Sequence, residues 1–365
     1  MQSTIYYKQL DGIRFIAVAL VLIDHWLAER CVLPLGPLGV TLFFVLSGFL
    51  ITKILISSKE KDDKLGRSHL FSYKQFYIRR SIRIFPLYYL ALFLLIIFKS
   101  PTINGKILWH FFYASNIYIV LKHTWLGISD HFWSLAVEEQ FYVFFPLLLF
   151  ITPMARLKTL FWAMILISIF LRFWLFFNNS DWTVQYVSTI TCLDSFGIGA
   201  ILANIIYFSK EETLFKRSKS YFLLFSTLAV VFLIIGEILL PPKRDILTDV
   251  FERLVFSVFS MALIYNSLIG FTGFIKSFLE HQITSYLGKI SYGIYIFHNF
   301  VYNYYHTPSD NILQKIIHKT QYKLPFLDNL IFELAIYFMC TVLVASLCWE
   351  LLEKPINKLK EKFAY

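Results

Sequence analysis

The stretch GPLGVTLFFVLSGFLITKILIS, residues 36–57, decides the fold class. It is predominantly apolar and carries no charge apart from Lys53, and about 20 such residues in an α-helix cross the hydrocarbon core of a bilayer. Further apolar runs lie at 10–29, 82–98, 132–152, 159–177, 189–208, 221–240, 250–270, 287–305 and 327–351. Of the 365 residues, 57% are hydrophobic and only 16% are charged, against about 45–50% and about 25% in a soluble domain. Such a composition excludes a soluble enzyme, a disordered chain, a collagen and a secreted disulfide scaffold. It predicts an all-α, polytopic membrane protein with about ten transmembrane helices.

No repeat, low-complexity tract or soluble appendage interrupts the pattern, so residues 1–365 read as a single membrane domain. The first run carries Arg14, Asp24 and His25 and lacks a small-residue cleavage site, which predicts a retained helix rather than a signal peptide. The stretch 107–121 is apolar but broken by His110, Ser115 and Asn116, and it is too short to cross; it reads as re-entrant or interfacial.

The net charge of +10 comes from 34 Lys and Arg against 24 Asp and Glu. In a membrane protein the placement of that surplus matters more than its size. With the N-terminus in the cytoplasm, alternate connections hold 20 Lys and Arg inside and 9 outside, which predicts that both termini are cytoplasmic. Topology thus accounts for the charge, and no nucleic-acid partner is expected. Cys31, Cys192, Cys340 and Cys348 form no CxxC pair and have no metal-ligand spacing.

Ionisable groups at membrane depth are costly, so each is a candidate for function. Arg14 and His25 share the first helix. At about 100° and about 1.5 Å per residue they lie on one face, roughly 16 Å apart along the axis. A cation at one end and an imidazole at the other suit a long ligand with an anionic tail and a reactive head, the shape of acyl-coenzyme A. Asp24 adjoins His25 but points about 100° away from it. In FYIRRSIRIFPLYY, Arg79, Arg80 and Arg83 sit three and four residues apart and can converge on one phosphate; the alternative is an anchor to lipid head groups. HFWSLAVEEQFYVFFP places Glu138 and Glu139 about two turns inside the outer surface, at a depth similar to His25. A histidine and carboxylate pair there suits deprotonation of a sugar hydroxyl.

Asp194, Arg172 and His298 are further buried candidates, with Asp194 and His298 taken as substrate contacts. Trp125, Trp133 and Trp182 are placed either to stack on sugar rings or to form an interfacial belt. Gly48, Gly197 and Gly199 read as helix-packing positions. Ser47 lacks a GxSxG elbow. GxxxxGK[ST], GxGxxG and HExxH are all absent, which argues against an ATPase, a dinucleotide enzyme or a zincin, and no metal site is expected.

The ordered blocks LDGIRFIAVALVLIDH, LGVTLFFVLSGFL, FYIRRSIRIFPLYY, FWSLAVEEQFYVFFP, LDSFGIGA and LGKISYGIYIFH, followed by LLEKP at 352–355, resemble acyltransferase family 3 of membrane O-acyltransferases. The resemblance implies transfer of an acyl group, most often acetyl, from cytoplasmic acyl-coenzyme A. The acceptor it implies is a hydroxyl of a carbohydrate or lipid-linked glycan, commonly a bacterial surface polysaccharide, at the inner membrane. The family's Arg-x10-His pattern falls on Arg14 and His25, its RxxR on Arg80 and Arg83, and its WSLxVE glutamate on Glu138. Some members carry a second, extracytoplasmic domain, and the sequence reads as a stand-alone member. His25, supported by Glu138 or Asp24, would either deprotonate the acceptor or carry the acyl group; direct transfer is favoured. The rival class is a transporter or flippase, in which buried charges are equally natural.

Overall fold

The computed structural model describes residues 6–98, 100–208, 212–239, 245–307 and 311–363. Among them there is no β-strand. The chain begins with the antiparallel helices α1 (Lys8–Leu27) and α2 (Leu35–Lys64), then α3 (His69–Ile97). Two short helices follow, α4 (Ile107–Phe111) and α5 (Ser115–Lys122), so the stretch expected to be re-entrant or interfacial contains no spanning helix. Next come α6 (Phe132–Ile151), α7 (Leu157–Phe177), the short α8 (Trp182–Val187), α9 (Leu193–Phe208) and α10 (Glu212–Leu239). The last third comprises α11 (Glu252–Ile269), α12 (Gly273–Leu279), α13 (Gln282–Lys289), α14 (Ser291–His306), α15 (Ile312–Lys323) and α16 (Leu330–Cys348).

Each of the ten expected apolar runs carries a helix. Seven helices among the described residues are long and apolar enough to cross a membrane, or eight if the pair Leu247–Ile269 and Gly273–Leu279, bent by 91°, counts as one span. Helix α1 falls outside that set because Lys8, Asp11, Arg14 and Asp24 charge it, and α14 because it has only 16 residues.

Two helices overrun the boundaries that the apolar runs suggest. α2 continues to Lys64, and α3 starts at His69 rather than near residue 82. Hydropathy marks only the lipid-embedded part of a helix, whereas the hydrogen-bond ladder continues into water when its ends are held. Ser68 caps α3 by accepting from the Leu70 N–H. Lys59 donates to the carbonyl oxygens of Leu149, Phe150 and Thr152 at 3.1, 3.0 and 2.5 Å, so it satisfies the open C-terminal end of α6.

The outside of the bundle is apolar. Phe144, Trp162, Phe170, Phe225, Phe232 and Leu343 are exposed, as expected where the surrounding solvent is lipid. The polar groups lie inside: Arg172, Asp194, His131 and His298 are all at most 2% exposed. Close approach of α2 and α9 makes this interior compact. A Cβ on Gly48 would collide with the backbone of Phe196, and one on Gly199 with the backbone of Val45. Both glycines therefore act as packing positions, as small residues do between membrane helices.

Candidate active site

A cavity of about 260 Å³ opens among α1, α2, α3, α6 and α14. Arg14, Arg80 and Arg83 line it together with Glu138, Glu139, Ser47, Tyr142, Tyr292 and Tyr295. Their convergence follows from helical spacing: Arg80 and Arg83 are three apart on α3, and Glu138 and Tyr142 four apart on α6, so each pair shares a face. Arg14 is held by Asp11 at 2.6 Å, one turn earlier on α1. Arg80 lies over the Tyr142 ring, 5.2 Å from its centroid. Among the described residues no carboxylate forms an ion pair with Arg80 or Arg83, which leaves two guanidinium groups to meet an external anion.

The expected convergence of all three arginines of α3 does not form. Arg79 turns away and donates to the carbonyl oxygens of Lys360 and Phe363 at 2.8 and 3.1 Å. Glu138 accepts from the Ser47 hydroxyl at 2.8 Å, and Ser47 in turn accepts from Tyr142 at 3.0 Å. No hydrogen bond joins Glu138 to His25 or Asp24. The helix register explains why. α1 and α2 run antiparallel with Asp24 against Gly36 and Val21 against Gly39, so Ser47 and its partner Glu138 sit at the depth of Arg14, well below His25.

His25 has a different neighbour. Its Nδ1 is 2.8 Å from Nε2 of His298, whose own Nδ1 is 2.6 Å from the Tyr295 carbonyl oxygen. His131 completes a group of three, with its ring centroid 4.8 Å from that of His298. The residues of this group are not on the cavity wall, but Tyr295 and Ser134 are, hydrogen-bonded to each other at 2.6 Å. The Tyr295 ring lies 5.6 Å from that of His298, so one layer of side chains separates the arginine cavity from the histidines.

The family model described as an acyltransferase domain matches residues 7–350. The chain belongs to acyltransferase family 3. This acyltransferase chain is 30% identical over 328 residues to the Staphylococcus aureus (strain COL) protein named "Putative O-acetyltransferase SACOL0978", covering 82% of this chain and 52% of the relative. It is 26% identical over 379 residues to the peptidoglycan O-acetyltransferase OatA of Listeria monocytogenes, covering 97% of this chain and 56% of the relative. With O-acetyltransferase OatA of S. aureus (strain NCTC 8325 / PS 47) it shares 29% identity over 389 residues, covering 98% of this chain and 58% of the relative. The chain thus spans about half the length of these relatives. No solved structure matches it significantly.

Other expected site residues of the acyltransferase chain lie apart from this cavity. Asp194 is fully buried in an ion pair with Arg172 of α7 and also accepts from the Ser195 N–H at 2.9 Å. Trp133 is only 4% exposed, wedged between Tyr186 and Phe44, and so is not at an opening. Trp182 is 54% exposed and stands beside Trp125, with ring centroids 6.1 Å apart. It borders a second cavity of about 90 Å³ with Gln185, Thr248, Asp249 and Glu252, where Oε1 of Glu252 is buried without a hydrogen-bond partner. Pro37 and Thr41 also line this cavity, which puts it at the His25 end of α2.

The sequence reading missed Ser47 as a carboxylate partner and His131 as a neighbour of His298. For His131 a signal existed: it immediately precedes FWSLAVEE, at the end of α6 that faces the His25 end of α1.

Proposed function

We propose that the protein transfers an acyl group, acetyl in the first instance, from cytoplasmic acyl-coenzyme A to a hydroxyl of a carbohydrate or lipid-linked glycan such as a bacterial surface polysaccharide. In this reading the ten helices that carry the apolar runs all cross the bacterial inner membrane, both termini are cytoplasmic, and residues 1–365 work as one membrane domain. The observation that carries it is the pairing of an arginine-lined cavity with a histidine on the same helix face as one of those arginines. The names of the relatives support acetyl as the group and a cell-wall glycan as the acceptor class.

Arg80 and Arg83 take the phosphates of the donor, and Arg14 continues the cationic track along α1. The thioester then lies toward His25. The acceptor hydroxyl gives its proton to His25 as its oxygen attacks the thioester carbonyl carbon. The carbon–sulfur bond breaks, and the departing thiolate recovers the proton from His25, leaving an ester and free coenzyme A. Asp24, at the same end of α1, favours the transient imidazolium through space, whereas Glu138 orders the arginine cavity through Ser47 and Tyr142. The acceptor approaches the Trp182 cavity, where an aromatic face and carboxylates suit a sugar ring. Asp194 serves as the partner of Arg172, and Trp133 as a wall between the two cavities.

The test is direct. Purified protein is expected to release free thiol from acetyl-coenzyme A when acceptor is present, and surface polysaccharide from cells with the gene is expected to gain acetyl mass that a deletion strain lacks. Absence of both signals, with glycan movement across vesicles instead, would establish the transporter class. Arg83→Ala should raise the KM for acetyl-coenzyme A about 10–100-fold with little change in kcat, because a charge-assisted contact to phosphate contributes about 1.5–3 kcal/mol. An unchanged KM would remove the phosphate-binding role.

A further inference from the structure

We propose that His298 is the positioning residue of the reaction: its Nε2 accepts the Nδ1–H of His25 and so leaves Nε2 of His25 as the proton-accepting atom. The inference rests on the proposed role of His25 and says which of its two nitrogens works and what selects it.

Backbone carbonyls assign the protons. A carbonyl oxygen only accepts, so Nδ1 of His298, 2.6 Å from the Tyr295 oxygen, carries hydrogen. In a neutral ring the other nitrogen, Nε2, is then a lone pair, and Nδ1 of His25 at 2.8 Å must donate to it. What remains on His25 is the lone pair of Nε2. An imidazolium at His298 would reverse this order, but that ring is fully buried and among the described residues no carboxylate is hydrogen-bonded to it, a costly setting for a cation. His131 cannot take over the role. Its Nε2 lies 3.1 Å from the Ile296 carbonyl oxygen and must donate, while its Nδ1 accepts from Asn299 at 3.1 Å.

The geometry is set locally. His298 lies three residues after Tyr295 on α14, so its Nδ1–H closes on its own helix, and the opposite nitrogen is then aimed across at α1. Trp26 adds a bond from its indole N–H to the His298 carbonyl oxygen at 3.4 Å, tying the same two helices together. The two imidazoles are stacked, 5.0 Å between centroids and 26° between planes.

In serine hydrolases a carboxylate performs this selection, and losing the correct tautomer there costs about 10⁴-fold in kcat. Here a neutral ring performs it, with one chemical difference. The far nitrogen of His298 faces a carbonyl that cannot take a proton, and a cation on that buried ring is costly, so a proton received by His25 is not relayed through His298. It stays on Nε2 until the coenzyme A thiolate takes it back.

The experiment compares His298→Leu, which removes the acceptor, with His298→Gln, whose side-chain oxygen restores one. The full chain is purified and assayed with acetyl-coenzyme A and cell-envelope polysaccharide, and coenzyme A binding is measured on the same samples. His298→Leu is expected to lower kcat about 100-fold with the acetyl-coenzyme A KM within about twofold. His298→Gln is expected to recover to within about tenfold of the parent. Adding His298→Leu to His25→Ala is expected to cost nothing more, since a residue acting through His25 has nothing left to position. Equal losses in the leucine and glutamine variants, a KM that rises as kcat falls, or a double variant slower than His25→Ala would overturn the proposal. If the leucine variant loses coenzyme A binding, His298→Phe, which keeps a stacked ring without an acceptor, replaces it. A parent protein without transferase activity overturns the proposed function, a fully active His25→Ala overturns the base role of His25 on which the inference rests, and inactive His25→Ala with fully active His298→Leu overturns the positioning role alone.

Discussion

His25→Ala is expected to abolish acyl transfer, with kcat falling at least about a thousandfold, while coenzyme A binding and folding persist. General-base catalysis by a positioned side chain is worth about 10²–10⁴-fold, and no second imidazole stands in the place of His25: both nitrogens of His131 are committed to Ile296 and Asn299, and His298, whose Nε2 loses its donor in this variant, is fully buried on a different helix. Alanine removes the contact with His298 but leaves the Trp26 bond to the same helix and the core contacts of α1 through Ile13, Ala17, Val18, Val21 and Leu22. Retained donor binding would separate loss of chemistry from loss of fold. A variant with substantial transferase activity would sink the base assignment and every step that uses it.

The second large effect concerns stability rather than turnover. Arg172 and Asp194 form an ion pair with 2% and 0% of their side chains exposed. Breaking such a pair leaves one charge uncompensated in the interior, a cost of about 3–5 kcal/mol, whereas replacing both partners by apolar residues of similar size is often close to neutral. Arg172→Ala and Asp194→Ala should therefore each sharply reduce the yield of monodisperse protein and its unfolding temperature in detergent. The double variant Arg172→Met with Asp194→Leu should recover most of both and retain activity. If the double variant folds but no longer transfers acyl groups, Asp194 contacts substrate as its sequence context suggested.

Much of the membrane architecture is legible because hydropathy reports on each segment alone. Each of the ten apolar runs does carry a helix, and 107–121 does break into short ones. The ends of α2 and α3 are not legible in this way, since they depend on Lys59 reaching the carbonyl oxygens of α6 and on the Ser68 cap, neither of which changes hydropathy. The same division runs through the candidate site. Arg14 and His25 can be placed on one face because they share a helix, and Arg80 with Arg83 for the same reason. Partners drawn from distant helices are a different matter: His25 meets His298 across 273 positions of sequence and Glu138 meets Ser47 across 91. Similar depth suggested that Glu138 belongs with His25, but the register of α1 against α2 puts it a good deal lower.

Arg14 and His25 riding on one helix also constrains motion. A helix of this length bends little, so no rocking of one part of the bundle against another can change the distance between these two groups. In the proposed mechanism α1 acts as a gauge block for the donor: the span from charge to reactive carbonyl would be fixed before any acceptor arrives. Conformational change during turnover must then belong to the surroundings, either the tyrosine layer between cavity and histidines or the aromatic mouth around Trp182. On that mechanism a donor too short or too long for the gauge would bind without reacting, and selectivity among acyl carriers would follow from the geometry of a single helix.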